Sequence, residues 1–166
     1  RNPDRVRRAL AASGQISVEL DLHTDSVDQS GPARIFSFSR DSMSRNFTVA
    51  QEGHGFVFRL RTSLTDLNGI YPSLVVPDVF DPSRRQHLVV TYDGMKVRLY
   101  IDGVLSEDSI DLNGRFENWS RNQALILGDE PAGNYPWLGE LFRVAVYDRA
   151  LDAQAVARLV ERDSVQ

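Results

Sequence analysis

Between His87 and Leu105 the chain reads H-L-V-V-T-Y-D-G-M-K-V-R-L-Y-I-D-G-V-L, three runs of alternating apolar residues separated by two Asp-Gly pairs. A period of two places Leu88, Val90 and Tyr92 on one face of the first run, and Val97, Leu99 and Ile101 on one face of the second. Each strand therefore buries one side. Asp-Gly adopts positive φ at low cost, as tight connections between antiparallel strands require. The segment is predicted to be a β-meander, and nothing in it marks a reaction.

The same alternation recurs along the chain. In Ile16 to His23, Ile16, Val18, Leu20 and Leu22 face one way and Ser17, Glu19, Asp21 and His23 the other. Ser30-Gly31-Pro32 breaks the chain before strands at Ala33 to Ser39 and Phe47 to Gln51, and Gly53-His54-Gly55 turns it into Phe56 to Arg61. Thr62 to Pro82, with Asn68-Gly69, Pro72, Pro77 and Pro82, is predicted to be a long irregular loop, either a binding surface or a crossover between sheets. Ala124 to Leu127 and Gly139 to Tyr147 are further strands, separated by a Gly/Pro-rich loop from Asp129 to Pro136. A short helix follows: Asp152 can cap its free amides, Leu151 can staple onto Val156, and Val156, Leu159 and Val160 form an apolar stripe. The basic cluster Arg5, Arg7 and Arg8 reads as a solvated leading segment. The expectation is all-β: one domain over residues 1–166, a two-sheet antiparallel jelly-roll sandwich of nine or ten strands, with a short C-terminal helix. Its predicted buried set is Ile16, Val18, Leu20, Phe56, Phe58, Leu60, Leu88, Val90, Tyr92, Leu99, Ile101, Leu141 and Val156.

Composition narrows the function. At 166 residues the chain can bury a two-layer core without staples. The absence of cysteine removes disulfides, thiolate zinc sites and thiol nucleophiles together. A net charge of −4 with mixed signs predicts neither a nucleic-acid groove nor a patch for anionic membranes, and no apolar run is long enough to span a bilayer. The first residue is Arg, which suggests a piece of a longer or processed polypeptide. His23, His54 and His87 are scattered and are expected at surface or turn positions, and no Gly-rich strand-to-helix loop exists to hold phosphates.

Gln86 to Val104, with its T-Y-D-G and Y-I-D-G turns, resembles the laminin-G-like, concanavalin-A-like lectin/glucanase jelly roll. Gly14 to Leu22 is similar to that superfamily's early strand, and Gly139 to Leu151 to its closing strand followed by Y-[ND]-R-A-L and a helix. Arg45-Asn46-Phe47-Thr48, Phe58 to Thr62 and Asn68-Gly69 resemble a subgroup that includes domains attached to VanZ-like membrane proteins. Two departures stand out: Arg85 where the family often has Trp, and Phe142-Arg143 where it often has Asp-Glu. The resemblance implies a carbohydrate-binding module, a protein-adhesion module, a calcium-dependent lectin or a glycoside hydrolase, in an extracellular or cell-envelope part of a larger bacterial protein; fold does not choose among them.

Glu19-Leu20-Asp21-Leu22-His23 imitates the start of the glucanase motif E-[LIV]-D-x-x-E, but the place of the second catalytic Glu is not occupied. A non-catalytic module is therefore expected, with carbohydrate as partner and a protein partner as the rival. Calcium would find oxygen donors in Asp25, Asp28, Asp66, Asn68, Asp129 and Glu130, at no specific spacing. For the sugar, the expected ligand-binding cluster joins Glu19 and Asp21 to Arg59, Arg61, Asn68 and Tyr71, in which carboxylates and guanidinium groups bond hydroxyls and the tyrosine stacks. The bland alternative pairs the polar face of the first strand with Arg59, Arg61 or Arg98 across strands. Tyr71, Trp119, Tyr135 and Trp137 are the candidate stacking rings, each equally suited to cap the core, and the structural role is favoured for Trp137.

Overall fold

The computed structural model describes residues 2–163. In chain order its elements are α1 (Pro3–Ser13), β1 (Ile16–Thr24), β2 (Ala33–Asp41), β3 (Ser44–Glu52), β4 (Gly55–Leu60), β5 (Leu74–Val76), β6 (Gln86–Tyr92), β7 (Lys96–Ile101), β8 (Val104–Asp111), β9 (Ala124–Leu127), β10 (Gly139–Tyr147) and α2 (Ala153–Asp163). The first sheet has the order β10-β1-β6-β7-β8 and the second β5-β4-β3-β2-β9. The chain crosses between them after β1, β5, β8 and β9, which is the jelly-roll weave.

The meander forms as its spacing predicts. Leu88 lies opposite Ile101, Val90 opposite Leu99 and Tyr92 opposite Val97. Asp102 and Gly103 hold φ of 49° and 85° in the second turn, and in the first the Asp93 carboxylate accepts the backbone N–H groups of Met95 and Lys96. Every member of the predicted buried set but Val156 faces the interior between the sheets, with Ile101 and Leu141 half-buried against it; Val156 is buried in a second cluster beneath α2. The second sheet contributes Phe36, Phe38, Phe47 and Phe58; the Phe47 ring lies 5.2 Å from Phe36 and 5.8 Å from Phe38, both edge-on, an arrangement that adds to the gain from burial.

Two elements depart from expectation. Residues 3–13 form a helix rather than a solvated segment: Asn2 caps it through the N–H of Asp4, Pro3 fits the first turn, and Gly14 stops it at φ 70°. Leu10 enters the core, and Arg7 is buried against Asp4. The long loop after β4 contains the short strand β5, which extends the second sheet at Val57 and Val75. Trp119 and Trp137 are core residues, not stacking platforms. Their indole N–H groups donate to the Arg61 carbonyl at 2.7 Å and to Gln51 Oε1 at 2.8 Å. Among the described residues no helix is long and apolar enough to cross a membrane.

Candidate functional site

Alternation along β1 sends Glu19 and Asp21 to the outer face of the first sheet, beneath α2. Asp152 accepts the Ala155 N–H at the start of this helix, and Leu151 and Val156 pack on Val89 and Tyr100. Glu19 is wholly buried there. Its Oε1 lies 3.0 Å from His87 Nε2 and receives Arg162 Nη2 at 2.8 Å, while Tyr147 donates its hydroxyl to Oε2 at 2.6 Å. Burial pulls the carboxyl up in pKa, but the bonds from His87 and Tyr147 and the charge of Arg162 outweigh it, holding the group below its ordinary value. Asp21 is held in a fork by Arg85, whose guanidinium lies 4.1 Å over the Phe142 ring. Each of the two carboxylates on this face therefore has a cationic partner from its own chain.

The outer face of the second sheet is built differently. Register places Ser37, Thr48 and Arg59 in one row across β2, β3 and β4, with Arg34, Ala50 and Val57 in the next. A register shift then puts Arg45 opposite Ser39, so the bulged strand turns this side chain onto the same polar face. Arg34 and Arg45 are 2% and 1% exposed, Arg61 is 8% exposed, and Arg59 is half-buried. Burial, and then the charges of Arg34 and Arg59, push Arg45 down to about 9; burial likewise lowers Arg34, Arg59 and Arg61, with Arg59 adding to the shift at Arg34. All four remain charged at neutral pH.

These cations find few partners. Arg34 Nη1 donates to the Pro32 carbonyl and Arg45 Nη2 to the Ser42 carbonyl, each at 2.5 Å. Nε of all four arginines, Arg45 Nη1, and the hydroxyls of Ser37 and Ser39 make no hydrogen bond. Among the described residues no carboxylate lies within 4.0 Å of any of the four. Nearby acids are engaged elsewhere: Glu52 accepts the Gly31 N–H, Asp66 that of Asn68, and Asp129 those of Glu130 and Tyr135. Glu130 is buried with Oε1 unpartnered; desolvation raises its pKa, while Arg34 and Arg45 pull it down.

Two tyrosines border the cluster. The Tyr135 ring lies 4.4 Å from the Arg34 guanidinium, and Gly31, at φ 127°, leaves room for it, since a Cβ there would meet Tyr135 Cδ1 at 2.8 Å. Tyr71 is 79% exposed. From Arg59 a groove of about 530 Å³ runs past Val57, Val75 and His54 to Pro32 and Asp78.

The six residues expected to form one cluster are thus divided. Glu19 and Asp21 lie on the first sheet and are consumed by His87, Tyr147, Arg162 and Arg85, not by Arg59, Arg61 or Arg98. Arg98 pairs with Asp93 at 2.6 Å. Arg59, Arg61, Asn68 and Tyr71 belong to the second sheet and the loop that follows it. His87 is buried in the Glu19 network, against the expectation of a surface or turn position. Arg34 and Arg45 are additions that sequence reading placed in no site, whereas Tyr135, expected as a stacking ring, and Glu130, expected as a calcium donor, lie beside them; the signal for Arg34 was an arginine near the start of a strand that also carries Ile35, Phe36 and Phe38. The proposed calcium donors do not converge: no three His, Cys, Asp or Glu side chains group for a metal among the described residues, and Asp66 and Asp129 are spent on backbone N–H groups.

The family model of the concanavalin A-like lectin/glucanases superfamily matches residues 4–157. No curated protein sequence matches the chain. Among solved structures, the CBM40 of the IT-sialidase of Ruminococcus gnavus superimposes with a TM-score of 0.70 at 16% identity, over 92% of this chain and 86% of that one. The same module bound to α2,3-sialyllactose gives 0.69 at 17% identity, over 88% and 82%. The botulinum neurotoxin serotype G binding domain gives 0.63 at 16% identity, over 90% of this chain and 36% of that one. At these identities the likeness is one of fold.

Proposed function

Because the chain belongs to the concanavalin A-like lectin/glucanase superfamily, we propose that it is a non-catalytic recognition module that binds carbohydrate through the outer face of its second sheet. One observation carries this reading: unsatisfied hydrogen-bonding groups stand on rigid strands there, beside an exposed tyrosine and an open groove. Sugar recognition needs this combination, since polar side chains fix hydroxyl positions, an aromatic or apolar surface takes the ring's C–H face, and strands hold both in place. The Ruminococcus gnavus module has been solved with α2,3- and α2,6-sialyllactose, which supports glycan as the ligand class and puts sialyllactose first in any panel. An extracellular or cell-envelope glycan, met as part of a larger protein, suits such a module. The non-catalytic reading rests on Glu19, the carboxylate that would have to act, being sealed beneath α2.

The test is a glycan array followed by titration calorimetry on the ligands retained, with a reducing-sugar assay on the same ligands and on β-glucans. Binding without turnover is expected. Turnover lost in Glu19→Gln would establish an enzyme instead, and an empty array with intact fold would shift the reading to a protein partner.

A further inference from the structure

We infer that this face selects an acidic glycan, whose carboxylate or sulfate group seats at the half-buried Arg59, beside the buried Arg34 and Arg45; the inference rests on the carbohydrate reading and narrows it. Guanidinium groups are donors without acceptor capacity. A neutral sugar could receive some of those hydrogen bonds through its hydroxyl oxygens, but it would leave the mutual repulsion of the buried cations untouched. An oxyanion supplies the acceptors and the missing charge in one group, and a planar carboxylate matches the guanidinium fork.

The first sheet provides the internal reference. There the same fold buries Glu19 and Asp21 and gives each a cationic partner, so the chain is able to provide counterions where it buries charge. On the second sheet it buries Arg34 and Arg45 to 2% and 1% exposure with no carboxylate within 4.0 Å of either. Burying a charge without a close partner is strongly unfavourable. The charges of Glu130, Asp129, Asp66 and Glu52 reduce the imbalance, but each of these carboxylates stands beyond ion-pair reach of the guanidinium groups. The unpartnered Oε1 of Glu130 is instead available to accept from a hydroxyl or amide of the same ligand. Arg59 belongs both to the cluster and to the groove, so a glycan anchored by its acid has a path for its next residue along Val57 and His54.

The experiment compares ligand pairs that differ only in the acidic group: α2,3-sialyllactose against lactose, a uronic acid oligosaccharide against its carboxyl-reduced form, and a sulfated disaccharide against its desulfated form. Calorimetry is expected to show at least tenfold tighter binding of the acidic member in the carboxylate arm, the sulfate arm or both, and the arms identify the source of the anion. Polyglutamate, which carries charge without sugar, is expected to bind at least tenfold more weakly than the best acidic glycan. Arg59→Gln should cost at least tenfold toward the acidic ligand, with an unchanged or raised melting temperature, and Arg59→Lys should recover part of the loss. Arg98→Gln removes the same charge from the first sheet and should leave affinity unchanged. Equal affinity within every pair would overturn the inference while leaving carbohydrate binding intact. Polyglutamate binding as tightly as the acidic glycans would overturn it in favour of acidic peptides. Failure of every member of every pair, with the protein folded, would overturn the carbohydrate reading as well.

Discussion

The outer faces of the two sheets bury charge to similar depth and reach opposite outcomes. On the first sheet Glu19 has three donors around it and α2 above it; on the second Arg45 has a single carbonyl bond, two cationic neighbours, and two carboxylates, Glu130 and Asp66, that act only from beyond ion-pair distance. Depth of burial alone would rate both as candidate sites. The difference lies in satisfaction: a charge whose partners come from its own chain holds structure together, whereas a charge left wanting is an invitation to a ligand.

The largest expected effect tests the satisfied face. Glu19→Ala removes the acceptor shared by His87, Tyr147 and Arg162 and should cost about 3–5 kcal/mol in urea unfolding, the range for breaking a buried ion pair, with glycan affinity of the folded protein unchanged. A loss of affinity at constant stability would reverse the roles assigned to the two faces. The opposite sign is expected across the sandwich. Arg45→Met exchanges an uncompensated buried charge for an apolar chain and should raise stability by about 1–2 kcal/mol while weakening acidic ligands. Destabilisation comparable to Glu19→Ala would mean that Arg45 has a counter-charge after all, and the comparison would fail.

Acid titration sharpens the contrast further. The folded Glu19 carboxyl lies below its ordinary 4.5, so its contribution to stability is complete above that pH and is lost as pH falls through the folded value. Glu130 is shifted upward, so its cost to the fold is present at neutral pH and relieved as pH falls through its own raised value. Thermal melts of wild type, Glu19→Gln and Glu130→Gln from neutral to acid pH should show a flattened acid loss in the first variant and a gain at neutral pH in the second. The smallest effect belongs to Tyr71→Ala. At 79% exposure its removal should leave the melting temperature within error and weaken glycan binding by about 1 kcal/mol, the worth of one stacking ring.

What the sequence made legible follows from the range of its signals. Alternation is local, so the strands and their buried sides could be read from Ile16 to Leu22 and from His87 to Ile101 without knowing where they pair. Sheet membership is not local. Glu19 and Arg59 both sit at outward positions of half-buried strands, and only the crossing order, with β1 in one sheet and β2 to β5 in the other, separates them. Arg45 escaped because a bulge changes its facing relative to Phe47, and simple alternation carries no mark of a bulge. At the N-terminus three arginines outweighed the Asn2-Pro3 start and the Gly14 stop that together define α1. Pro72 and Pro77 likewise hid β5 between them.

Gly31 lies two residues before β2, and its N–H donates to Glu52 rather than into the arginine row. Its missing side chain nevertheless decides where the Tyr135 ring can lie, and that ring covers one face of the Arg34 guanidinium. Any larger residue at 31 would displace the ring and change how much of Arg34 is left for a ligand. On the proposed carbohydrate reading, binding preference can therefore drift through position 31 by way of the Tyr135 ring, and a library randomised at Gly31 alone, sorted on paired acidic and neutral glycans, would expose that route; unchanged preference across folded members would close it.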